Sequence, residues 1–62
     1  MNPKEFFEQQ GLNMHSTYVE KYNEWCCIVF GENLECWGFG ESETSAWMDA
    51  YGKVRNNLGF NL

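Results

Sequence analysis

Gly38-Phe39-Gly40-Glu41-Ser42, with Ala46 and Ala50 beyond it, constrains the fold more than any other stretch of the chain. Two glycines let an apolar strand bring its backbone close to whatever packs on it. Ser42 then offers a hydroxyl to the free N–H groups of a new helix. Ala46 and Ala50 stand four residues apart, hence on one helical face, where small side chains let a helix lie close against a sheet. A strand-turn-helix unit with unusually tight helix-on-sheet packing is the expectation.

The segment from Ser42 or Thr44 to about Asn57 reads as one helix, with Trp47, Ala50, Tyr51, Val54 and Leu58 at helical spacing. Glu43 near its start and Lys53 and Arg55 near its end suit the helix dipole. Gly52 weakens it, and close packing is the expected reason. The tail Leu58-Gly59-Phe60-Asn61-Leu62 alternates apolar residues that could dock on the domain.

Upstream, Asn2-Pro3-Lys4-Glu5 carries an N-cap, a proline at the first helical position and an acid three residues after the cap. A helix over residues 3–10 follows, anchored by Phe6 or Phe7 and stopped by Gly11. Residues 12–24 are ambiguous. Ser16 to Glu20 is rich in β-formers, while Met14, Tyr18 and Tyr22 recur every four residues as in a helix. A strand over about 16–21 is preferred, because the next segment needs a partner. That segment, Trp25-Cys26-Cys27-Ile28-Val29-Phe30, is the clearest strand, and Gly31-Glu32-Asn33 turns the chain into Leu34–Phe39, returning antiparallel. Both parities of the central strand are apolar, so neither sheet face is marked for water.

The reading is a single α+β domain over residues 1–62, in the order α-β-β-β-α, with a three-stranded antiparallel sheet packed by two helices. That order, and above all the Gly-x-Gly-x-Ser-x-x-x-Ala-x-x-x-Ala spacing of residues 38–50, resembles the double-stranded-RNA-binding domain. Tyr18 matches the aromatic of that family's first strand and Trp25 through Val29 its second. The strand-strand-helix end also resembles small phage proteins of the ABA-sandwich type, and the helix start is similar to that of HicB-type antitoxins. The RNA-binding family places lysines at the start of its second helix, across phosphates of the major groove. Here that stretch is Glu43-Thr44-Ser45-Ala46-Trp47, and the loop between the first two strands pairs Lys21 with Glu24. Carboxylates at Glu41 and Glu43 would repel phosphate, so the resemblance implies the fold with a degenerate, acidic surface.

Charge argues the same way. Nine acidic residues against four basic ones give a net charge of −5, which repels nucleic acid and anionic membranes and attracts basic protein surfaces. The chain has no apolar run of membrane-spanning length, and its amino terminus lacks signal-peptide features, which implies a soluble cytoplasmic protein, in host cytoplasm if phage-encoded. Cys26, Cys27 and Cys36 are odd in number and two are adjacent, the pattern of buried free thiols rather than of a disulfide framework. Adjacent strand cysteines point to opposite faces, so with His15 they make a poor zinc site. No Cys–His pair with a third orienting group, no phosphate loop and no apolar setting for Glu41 and Glu43 is visible, so neither catalysis, a metal nor a cofactor is expected; the two glutamates read as a solvated helix entrance.

The aromatic excess points elsewhere. Trp37 and Phe39 share one sheet face, which Trp25 or Ile28 joins depending on register, whereas the spacing of Trp47 places it in the core. The expected function is non-catalytic protein binding through Trp37, Phe39 and Trp25, with Glu41 and Glu43 on an acidic rim that attracts a basic partner. By analogy this fits an inhibitor or modulator of a host nucleic-acid-binding or defence protein. The competing readings are a double-stranded nucleic-acid-binding domain and a structural homo-oligomer.

Overall fold

The structure is a computed structural model that describes residues 2–57. Its order is α1 (Pro3–Gln9), β1 (Asn13–Val19), a 3₁₀ turn (Glu20–Tyr22), β2 (Glu24–Phe30), β3 (Glu35–Gly40) and α2 (Glu43–Asn57). The strands form one antiparallel sheet in the order β1-β2-β3, and both helices lie on one side of it. This is the α+β, α-β-β-β-α topology expected from the sequence, and it is consistent with a double-stranded-RNA-binding-like fold. No described helix is long and apolar enough to cross a membrane.

Local chemistry sets the boundaries. Asn2 caps α1 by accepting from the Glu5 N–H at 2.9 Å, with Pro3 in the first turn. Gly11 ends it in the left-handed region at φ 72°. The Gly11 N–H then bonds the Glu8 carbonyl and the Leu12 N–H the Phe7 carbonyl, both at 3.0 Å, which together make a Schellman stop.

That stop delivers the chain straight into β1, which therefore starts at Asn13 and ends at Val19 rather than spanning about 16–21. The four-residue recurrence that looked helical has a simple origin. Four is also an even number, so Met14 and Tyr18 share a strand face, and Tyr22 falls in the 3₁₀ turn. Asn23, at φ 50°, reverses the chain from the left-handed region that asparagine tolerates, and its side chain accepts from the Tyr18 hydroxyl at 3.1 Å.

The core lies between the sheet and the helices. Cys27 and Val29 of β2 and Cys36 of β3 meet Ala46, Trp47, Ala50 and Val54 of α2, while Phe6 and Phe7 of α1 close the end of the layer. Phe6 stands edge-on to Tyr51 with ring centroids 5.1 Å apart, and Phe7 lies 6.0 Å from the Trp47 ring.

The strand-turn-helix unit behaves as its residues dictate. Ser42 Oγ accepts from the Ser45 N–H at 3.1 Å and caps α2. Ala46 and Ala50 are wholly buried against the sheet. A Cβ placed on Gly38 would lie 2.3 Å from the Ala46 carbonyl oxygen, and one on Gly40 would lie 2.7 Å from the Ala46 nitrogen. Helix backbone thus rests on strand backbone, and glycine is required there. Gly52 is different: a Cβ there would meet nothing within 4 Å, so packing does not account for it. The apolar tail at 58–62 lies outside the described residues.

Candidate interaction surface

Strand register decides which residues look away from the helices. Ile28 pairs with Trp37 and His15, Cys26 with Phe39 and Thr17, and Phe30 with Glu35 and Asn13. Because directly opposite residues share a face, these nine side chains make the outer surface of the sheet, with Val19 and Glu24 at one end. Its β2–β3 portion is apolar. Trp37 is 45% exposed, Phe39 47% and Phe30 39%, with Ile28 half-buried between them. Cys26 sits under this layer, buried on the outer face although it belongs to no helix-side core. Polar residues of β1 (Asn13, His15 and Thr17) border the patch on one side.

Trp25 lies on the opposite face. It pairs with Gly40 and Tyr18, and its ring stands 5.7 Å from that of Tyr18, packed against the edge of the core. The register brings Ile28 and Phe30, rather than Trp25, together with Trp37 and Phe39.

The acids at the ends of the patch are Glu35 and Glu24. Glu35 accepts from the Trp37 indole N–H at 2.8 Å and holds that ring over the face. Glu41 is exposed in the turn between β3 and α2. Glu43 is on the helix side, half-buried, and is not the solvated group its sequence context implies. Its Oε2 accepts from Ser16 Oγ at 2.7 Å and from the Trp47 indole at 3.4 Å, joining β1 to α2. Those bonds, Ser16 first, favour the ionised form and lower its pKa.

Along the other margin, α2 reaches around β3. Asp49 Oδ2 accepts from the Phe39 N–H at 3.0 Å, and Lys53 Nζ donates to the Trp37 carbonyl at 2.7 Å. The two side chains also pair with each other at 3.1 Å. Lys53 Nζ lies 5.6 Å from the Phe39 ring centroid, a cation–π distance. The Asp49 carboxyl is held below its usual range, chiefly by the Phe39 N–H and then by Lys53. Asp49 and Lys53 look in sequence like a surface i,i+4 pair. Only the helix direction along β3 shows that they fasten the strand carrying Trp37 and Phe39.

The remaining chemistry is quiet. Cys26, Cys27 and Cys36 are free and buried, and Cys26 and Cys27 face opposite sides of the sheet. Cys27 Sγ donates to the Ala46 carbonyl at 3.1 Å, and burial pushes its thiol up to about 11. His15 lies exposed on β1. No described cluster of His, Cys, Asp or Glu could hold a metal ion. The cations are dispersed: Lys4 stands over Trp47, Lys21 over Tyr22 and Arg55 over Tyr51. Comparison of the chain with known protein families, curated proteins and solved structures gives no match.

Proposed function

We propose that this protein is a non-catalytic binding module whose outer sheet face seats a protein partner with a basic surface. The observation that carries the reading is the exposure of Trp37, Phe39 and Phe30 together on one face, on strands whose opposite face already supplies the core. Folding does not require aromatics there, and exposing them carries a cost in solubility. Large aromatic rings are the side chains that most often anchor protein interfaces. The net charge of −5, with Glu24 and Glu35 at the ends of the patch, favours a basic partner and speeds its approach. An inhibitor or modulator of a host nucleic-acid-binding protein meets this description, since such targets carry basic surfaces. In that reading the fold is a double-stranded-RNA-binding-like scaffold that carries carboxylates, Glu41 and Glu43, at the start of its second helix where the RNA-binding family has lysines.

The test is retention of host proteins by immobilised wild type and by Trp37→Ala. Truncating a central anchor removes ~2 kcal/mol or more of binding, about thirtyfold in affinity. The expected result is a basic protein retained by wild type, released by added salt and lost with Trp37→Ala, whose melting temperature stays near wild type. Equal retention by both proteins, or an unfolded Trp37→Ala, defeats the reading.

A further inference from the structure

The two edges of the sheet are treated unlike each other. On β3 the outward-pointing groups include the Phe39 N–H and the Trp37 carbonyl, and α2 covers both through Asp49 and Lys53. Backbone direction alternates along and across an antiparallel sheet. Ile28 and Cys26, opposite Trp37 and Phe39, therefore direct their backbone groups to His15 and Thr17 of β1. Met14, Ser16 and Tyr18 are left with N–H and C=O on the free edge. Among the described residues those groups have no hydrogen-bond partner.

β1 also lacks the features that usually blunt an edge strand. Asn13–Val19 contains no Lys, Arg, Asp, Glu, Pro or Gly, and its register with β2 runs without a bulge. In a chain of net charge −5 this is a neutral, regular, seven-residue edge.

We propose that a second copy of this chain pairs with β1, antiparallel about a two-fold axis at Ser16, to make one continuous six-stranded sheet. The register is self-complementary. Ser16 meets Ser16, and Met14 meets Tyr18 on either side of the axis, each pair exchanging two main-chain hydrogen bonds. The helix-side pairing sets a thioether against an aromatic ring. On the outer face His15 lies opposite Thr17, and Asn13 opposite Val19, so no charged side chain of the strand meets its like. On the helix side each Ser16 carries its bonded Glu43 toward the axis, a repulsion that salt screens. The dimer joins two outer faces into one surface and gives a chain too short to bury much area a larger structure. It depends on neither Trp37 nor the partner-binding reading.

The test is sedimentation of the full chain over a range of concentration and salt, with amide hydrogen exchange on the same samples. A species of twice the 7.3 kDa chain mass is expected, favoured by salt because salt screens the repulsion between two acidic copies. A basic partner on the outer face would show the opposite salt response. The amides of Met14, Ser16 and Tyr18 should gain protection as concentration rises. The double variant His15→Glu/Thr17→Glu sets glutamates against each other across the axis and should raise the dimer Kd about tenfold or more. His15→Glu/Thr17→Lys sets opposite charges there and should restore it, while Trp37→Ala should leave the dimer intact. A monomer at every concentration, a dimer whose β1 amides stay unprotected, or a dimer lost with Trp37→Ala overturns the proposal. Should the double glutamate variant not fold, the Glu/Lys variant and wild-type exchange decide the matter.

Discussion

Gly38→Ala is the substitution that tests the architecture most directly. Its methyl would lie 2.3 Å from the Ala46 carbonyl oxygen, 2.7 Å from the Ala50 nitrogen and 2.9 Å from the Ala50 Cβ. Comfortable separations are ~3.5–4 Å, so the intrusion is about 1 Å into three atoms at once. Two of them are helix backbone, which no rotamer change can move. α2 must lift, loosening Ala46, Ala50 and Val54, all wholly buried. Overpacking of this kind costs ~1–3 kcal/mol, and a rigid obstacle puts it near the top of that range. Replacing glycine also restricts the unfolded chain, which returns ~0.4–1 kcal/mol. The net expectation is a loss of ~2 kcal/mol. A domain of this length has only ~3–9 kcal/mol in total, and its melting temperature should fall ~8–16 °C. The assay is thermal and urea denaturation followed by circular dichroism, with Gly52→Ala as the control. Gly52 sits mid-helix, exposed and facing open space, so alanine there should stabilise by ~1 kcal/mol. A Gly38→Ala melt within ~0.5 kcal/mol of wild type would refute the close helix-on-strand contact, since normal mutational scatter is of that size.

Four further outcomes are expected. Ala50→Leu should destabilise by ~1–3 kcal/mol in the same melts, because Ala50 faces Gly38 with no room for a larger side chain. Glu43 has a lowered folded-state pKa, so its stabilising effect is complete above the ordinary glutamate value of 4.5 and disappears as pH falls through the folded value; Glu43→Gln should flatten the acid limb of a stability-versus-pH curve. Native protein at pH 8 should resist thiol reagents at Cys27, whose thiol is buried and pushed up to about 11, with full reaction only in denaturant; rapid native labelling would contradict its contact with Ala46. Gel shifts should show no submicromolar, salt-sensitive binding to double-stranded RNA, given the dispersed cations and the acid at the start of α2.

The parts of this fold legible in sequence are those set by local backbone chemistry. Asn2-Pro3, Gly11, Ser42 and the Gly38/Ala46 and Gly40/Ala46 contacts each involve a residue whose reason for being there is steric or a capping bond, and each stands where expected. The sequence marks β1 less clearly, because Ser16 occupies an inward position and breaks the apolar alternation that marks a strand. Its hydroxyl is matched by Glu43, which is distant in sequence, so neither residue advertised the other. The outer face was half legible. Trp37 and Phe39 share it by parity alone, but choosing between Trp25 and Ile28 needed the length of the turn after Phe30. The Phe30–Glu35 pairing fixes that register and with it the patch. Asp49 and Lys53 were invisible as strand fasteners, since a helical i,i+4 ion pair has an adequate explanation on the helix surface.

In this three-stranded sheet both helices lie on one side, and the described residues leave the other face uncovered. In a small soluble domain that face ordinarily carries the polar half of an alternating pattern. Here the outward positions of β2 and β3 are largely apolar, while those of β1 keep polar residues, Asn13, His15 and Thr17. The same two strands are the ones fixed by the helix: α2 packs along β3 by way of Gly38 and Gly40, and Asp49 and Lys53 close its edge. Strand edge and apolar face are thus separated. β3 presents aromatic rings on a rigid support, with the Phe39 N–H and the Trp37 carbonyl taken by α2, which suits side-chain-led recognition of a folded surface. β1 presents backbone groups with neutral side chains, which suits strand pairing. Trp37→Ala and His15→Glu/Thr17→Glu should therefore act on different associations. Carried by one chain, their effects on partner retention and on self-association should be additive, because the two contacts share no hydrogen bond. Strong coupling between them would mean that one surface, not two, carries both associations.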